Sequence, residues 1–119
     1  MQYVLLIHQG DAPTPRDPEA WATLSEEEQN AVRSDYQSIN QTPGVTPGSP
    51  LADPSTATTV RVEDGKTLTT DGPFVAVKEA LGGFMVFEAD DLDAAIEMAA
   101  RIPAARLGGA VEVRPVEEW

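Results

Sequence analysis

The segment Asp71-Gly72-Pro73-Phe74, together with the chain on either side of it, constrains the possible folds most. Proline has a fixed φ and no N–H to give to a ladder, and glycine is permissive, so Asp71-Gly72-Pro73 must turn the chain. Upstream, Thr59-Val60-Arg61-Val62-Glu63 and Lys66-Thr67-Leu68-Thr69-Thr70 alternate around Asp64-Gly65. An Asp-Gly pair between two alternating runs predicts a tight β-hairpin, because both turn residues need positive φ. Downstream, after a short linker, Gly83-Phe84-Met85-Val86-Phe87-Glu88 reads as a strand that is apolar on both faces. The middle of the chain is therefore β-structure, sharply punctuated.

The flanking segments alternate in type. Residues 2–8 read as a strand with Tyr3, Leu5 and Ile7 on one face and Val4, Leu6 and His8 on the other. Both faces are mostly apolar, which predicts cover on both: helices on one side, a partner subunit on the other. Residues 9–24, with Pro13, Pro15 and Pro18, read as a polar loop. Ser25 opens a helix that runs to Gln41, and Ser25 with Glu28 fits the capping box. Glu26, Glu27 and Glu28 suit the positive end of that helix, while Val32, Tyr36 and Ile39 recur at helical spacing toward the core. Residues 45–58 hold Pro47, Gly48, Pro50 and Pro54, which predicts an irregular edge segment or a loop. Asp90 or Asp91 caps a second helix with a buried stripe of Leu92, Ala95, Ile96 and Ala99, stopped by Pro103. Gly108-Gly109 turns the chain into a last strand, Ala110 to Val116. The order β, α, hairpin, β, α, β in one domain predicts an α+β, ferredoxin-like protomer with both helices on one sheet face. Apolar residues on the other face predict a homodimer packed sheet to sheet.

Composition narrows the function classes. With 119 residues, 41% of them hydrophobic, the chain can bury one core without staples. It has no cysteine, which removes disulfides, thiolate nucleophiles and thiolate metal ligands, and its single histidine makes a structural zinc site implausible. A formal charge of −12 repels phosphate backbones and anionic membranes, so neither nucleic acid nor membrane is expected as a direct partner. Val4-Leu5-Leu6-Ile7 is too short for a spanning segment or a signal region, and the expected location is cytoplasmic. HExxH, EF-hand, Walker and Rossmann patterns are absent, and no cofactor or metal is expected. Asp90, Asp91 and Asp93 read as helix-capping and dipole-complementing residues rather than a metal cluster.

Few side chains remain as candidates for chemistry. His8 is the one group that titrates near neutrality unperturbed, and with Asp71 or Glu79 beside it would be a general base. Its alternative is a strand-end histidine hydrogen-bonded to backbone or water. Asp71 either orients that base or binds a substrate donor, or it simply bonds to backbone in the turn. Phe74 is a candidate pocket wall, or a core or interface anchor. Lys78 and Glu79 form a candidate pair, although neighbours on a strand face opposite ways. Arg106 and Arg114 stand out where basic residues are scarce; each could clamp a carboxylate or phosphate, or pair with acidic residues at a dimer interface.

Taken in order, the strand Gln2–Ile7, Thr56–Arg61, Asp71-Gly72-Pro73-Phe74, Lys78-Glu79, Leu81-Gly82-Gly83-Phe84, Asp91–Ala95, Arg101–Arg106 and Ala110–Val116 resemble the DGPF branch of the YCII-related proteins. The resemblance spans nearly the whole chain. It implies a dimeric α+β barrel of ferredoxin-like protomers, in a family whose biochemical function is mostly unassigned; the reading favoured here is a small metabolite bound in a cleft between sheet and helices, with His8, Asp71, Phe74 and Arg106 as candidate cleft residues. It also implies, by association only, a regulatory link to extracytoplasmic-function sigma factors. Some YCII-like proteins are thought to use a His–Asp pair, the histidine on the first helix and the aspartate in an Asp-Pro turn after the second. Neither carries over: Ser25–Gln41 has no histidine, and the turn is Ile102-Pro103. Two rival readings stand beside metabolite binding: a cofactor-free enzyme using His8 for acid–base chemistry, and a non-catalytic interaction module.

Overall fold

The elements, in chain order, are β1 (Gln2–His8), α1 (Pro18–Ala22), α2 (Glu26–Asn40), β2 (Val45–Pro50), β3 (Thr58–Glu63), β4 (Lys66–Asp71), β5 (Leu81–Glu88), α3 (Leu92–Arg101) and β6 (Ala110–Pro115). They come from a computed structural model that describes residues 1–74 and 81–117. β1 lies at the centre of a four-stranded sheet of order β2-β5-β1-β6, and every pairing is antiparallel. Set aside β3, β4 and the short α1, and the remainder is the βαββαβ order of a ferredoxin-like α+β fold. β3 and β4 form a separate two-stranded ribbon inserted between β2 and β5.

Alternation along β1 decides which face the helices cover. Tyr3, Leu5 and Ile7 are buried, together with Met85 and Phe87 of β5, against Ile39 of α2 and Ala95, Met98 and Ala99 of α3. The expected boundaries of α2 hold, because its cap is strong. The Ser25 N–H donates to Glu28 Oε1 at 3.0 Å, and the Glu28 N–H donates to Ser25 Oγ at 3.1 Å. At α3 the cap is Asp91, whose Oδ1 accepts from the Ala94 N–H at 2.9 Å.

Two expectations need correction. The stretch 9–24 is not all loop: Asp17 caps α1, Pro18 opens it, and Trp21 is buried. Asp-Pro-Glu is itself a helix-start signal, and it prevails over the surrounding prolines. The buried face of α3 is Ala95, Met98 and Ala99, while Leu92 and Ile96 are about half exposed, at 50% and 49%. The two alanines let the helix lie close to the sheet, and that turns Leu92 and Ile96 outward. The proline-rich stretch after residue 44 is an irregular edge segment as expected, paired with β5 as far as Pro50 with a register break between Pro47 and Pro50. An edge strand has one side that donates to nothing, which is where proline is tolerated.

The hairpin forms as expected. Asp64 and Gly65 both have positive φ, 51° and 75°, and Glu63 pairs with Lys66. Among the described residues, no helix covers the other face of the four-stranded sheet. Val4 and Leu6 sit there opposite Val86 and Phe84, with Phe84 40% exposed.

Candidate functional site

Between the helix-covered face of the sheet, α2 and the chain on either side of β2 lies a cleft of about 960 Å³. Its floor is Ile7, Gly83 and Met85, its back is Val32 and Tyr36 of α2, and Trp21 of α1 closes one side. The floor is low because of Gly83. This residue occupies an inward position of β5, in register with Ile7. A Cβ built on it would meet Pro50 Cα, Ser49 O and Ile7 Cδ1 at 3.7–3.9 Å, so there is room for a methyl group that the glycine leaves out. The β2 side is held near by Gly48, whose added Cβ would fall 2.0 Å from the Phe84 carbonyl oxygen. Beyond Pro50, the Leu51 N–H donates to the Gly82 carbonyl at 2.9 Å and fixes the rim segment Leu51–Pro54.

The cleft is apolar inside and polar at its mouth. Tyr36 is half-buried, and burial pushes its phenol pKa up, opposed by the positive charge of Arg106. Among the described residues, its hydroxyl has no hydrogen-bond partner, so it is available to a guest. Arg16, Asp17 and Asp53 ring the mouth. Asp53 is held below the usual carboxylate range, chiefly because its side chain accepts the Ser55 N–H at 2.9 Å, with Arg16 adding a smaller attraction. Arg33 lies 5.5 Å above the Trp21 ring and steadies that wall from outside.

The residues singled out from sequence lie elsewhere. His8 points to the open face of the sheet, where its Nε2 is 3.2 Å from Glu112 Oε1. Glu112 is lowered from its ordinary pKa first by Arg114, which donates to it from Nε at 3.0 Å, and then by His8. Asp71 ends β4 on the ribbon, in a different sheet from His8. Its turn is tied by backbone: the Gly72 N–H donates to the Ala57 carbonyl at 2.7 Å, and Thr59 Oγ1 donates to the Gly72 carbonyl at 2.8 Å. Phe74 is 72% exposed, with the Arg61 guanidinium 5.8 Å from its ring centre. Arg106 donates to Asp35 Oδ2 of α2 at 2.6 Å, an ion pair within one chain. None of these four lines the cleft. Lys78 and Glu79 fall outside the described residues.

The sequence reading missed Gly83, Trp21 and Tyr36 as cleft residues. A glycine at an inward strand position signals a close approach or a missing wall, but the pattern reads Gly83 only as the first residue of a strand. Tyr36 was assigned to the core by its spacing, and spacing does not distinguish a filled interior from a cleft wall. Ile102, at the position where the resemblance would seek an aspartate, is fully buried in the core. Among the described residues no three acidic or histidine side chains converge to hold a metal, and no helix is long and apolar enough to cross a membrane.

Comparison with known proteins agrees with the fold. A family model for the YCII-related domain matches residues 1–119. An uncharacterized protein of Rhizobium meliloti (strain 1021) is 31% identical over 121 residues, an alignment that takes in 98% of this chain and 92% of that protein. An α+β protomer of ferredoxin-like order, with the family's pattern running from end to end, belongs to the YCII-related family.

Proposed function

We propose that this chain is a cytoplasmic homodimer that binds a small, largely apolar metabolite in the cleft over Gly83, with the Tyr36 hydroxyl as its polar contact. One observation carries the reading: an open cleft whose floor lacks a side chain at Gly83 and whose wall offers the hydroxyl of half-buried Tyr36, with no partner among the described residues. Its volume is of the size that small-molecule sites occupy, about 300–1,000 Å³. The apolar open face, with Val4, Leu6, Phe84 and Val86, supports a sheet-to-sheet pair closing into a dimeric α+β barrel. In the regulatory role linked to an extracytoplasmic-function sigma factor, this cleft would be the sensing element. Acid–base catalysis in the cleft by His8 finds no support in the position of that side chain.

The test uses Trp21 as an internal reporter. The chain has two tryptophans, so Trp119→Phe leaves Trp21 alone. In that background, 1-anilinonaphthalene-8-sulfonate, an anionic fluorophore with an apolar aromatic body, should quench Trp21 by energy transfer and saturate at one site per chain. Gly83→Leu should abolish saturation while the protein remains folded by circular dichroism, and His8→Ala should leave saturation unchanged. Equal binding by the Gly83→Leu protein would remove the cleft as the site. Native mass spectrometry of freshly purified protein then weighs any resident ligand.

A further inference from the structure

The β3–β4 ribbon is a two-faced element, largely exposed on both faces. Its register puts Val60 beside Thr69 and Val62 beside Thr67, a β-branched patch on a face that ends in the Thr58–Asp71 pair. The other face carries Arg61, Glu63, Lys66 and Leu68. Val60 is 59% exposed and Val62 67%. A lone two-stranded ribbon is marginally stable in water unless such a face is packed against something. The chain is also extended for its size: its radius of gyration is 16.1 Å, against about 13.5 Å expected for a compact domain of this length.

We infer that the ribbon is a dimer arm, and that its Val60–Val62 face lies on a second copy of this chain. The inference rests on the homodimer proposed above. Area favours it. Four strands about 4.8 Å apart and about 20 Å long offer a flat face of about 400 Å², half of the roughly 800 Å² per partner that a standard interface needs. The two strands of the ribbon add about 200 Å² more. Charge favours it too. In a chain of net charge −12 the ribbon is close to neutral, with Arg61 and Lys66 set against Glu63, Asp64 and Asp71. It is therefore a part of the molecule that approaches a second acidic copy with little repulsion. In a two-fold pair each arm is used twice, so both ribbons and both open sheet faces are covered together.

Sedimentation equilibrium of the full chain tests this with two variants. Val60→Thr/Val62→Thr keeps shape and β-branching but makes the arm polar; Leu6→Lys puts a charge on the open sheet face. The arm variant should weaken the dimer by about a hundredfold or more, since each change appears twice. A dimer weakened by Leu6→Lys and unaffected by the arm variant overturns the arm and leaves the sheet-to-sheet pairing standing. A dimer weakened by the arm variant alone supports the arm and rejects that pairing. A wild-type monomer at micromolar concentration overturns both and gives the ribbon to another partner. The chain has no cysteine, so Val62→Cys carries one benzophenone label. Irradiated mixtures of isotopically light and heavy protein should yield cross-links between chains; cross-links confined to one chain would also refute the arm.

Discussion

Two glycines on neighbouring strands should respond to alanine in opposite directions. Gly48 and Gly83 flank the register break between β2 and β5. At Gly48 a methyl group would sit 2.0 Å from the Phe84 carbonyl oxygen and 2.9 Å from Phe84 Cδ2. Ordinary contact begins near 3.4 Å, so β2 must retreat by more than an ångström, enough to break a ladder hydrogen bond. Losing one or two such bonds, at about 1 kcal/mol each, and loosening the Phe84 contact costs about 2–3 kcal/mol. At Gly83 the same methyl meets Pro50 Cα, Ser49 O and Ile7 Cδ1 at 3.7–3.9 Å, all acceptable contacts. There alanine reduces the entropy of the unfolded chain and should stabilise by about 0.5–1 kcal/mol. In a domain of this length 1 kcal/mol moves Tm by about 4 °C. Gly48→Ala should therefore lower Tm by about 8–12 °C, and Gly83→Ala should raise it by about 2–4 °C. Urea unfolding followed by far-UV circular dichroism gives the same comparison as a shift in midpoint at constant slope. A Gly48→Ala protein within about 0.5 kcal/mol of wild type would show that β2 does not approach β5 as described. Equal destabilisation by both changes would show that the cleft floor has no spare volume.

Two other outcomes follow from local geometry. Ser25→Ala removes one half of the reciprocal cap of α2 and should cost about 1 kcal/mol, read as a Tm fall of about 4 °C. Glu112 is held below its ordinary pKa by Arg114 and then His8, so the folded state binds fewer protons there than the unfolded state. That contribution is complete above the unfolded value and is lost as pH falls through the folded one. The stability difference between wild type and Glu112→Gln, measured in urea, should be constant above about pH 5 and shrink below about pH 4. A difference that stays flat to pH 3 would contradict the pairing of Glu112 with Arg114 and His8.

Local chemistry by itself determined most of the elements. The Ser25–Glu28 box, the Asp64-Gly65 turn and the alternation in β1 and β5 each specify their structure through neighbours a few residues away, and each is present as read. The order of those elements was enough to anticipate the α+β, ferredoxin-like arrangement. The rotation of α3 was not legible, because Leu92 and Ile96 share helical spacing with Ala95 and Ala99. Only contact with the sheet selects the alanine face. The candidate site was decided by tertiary structure for the same reason. His8 and Asp71 are ordinary polar residues at strand ends, and which sheet and which face they join depends on pairings with residues up to a hundred positions away. A cleft is space left unfilled by several segments at once, and the residue that opens this one, Gly83, acts through the side chain it lacks.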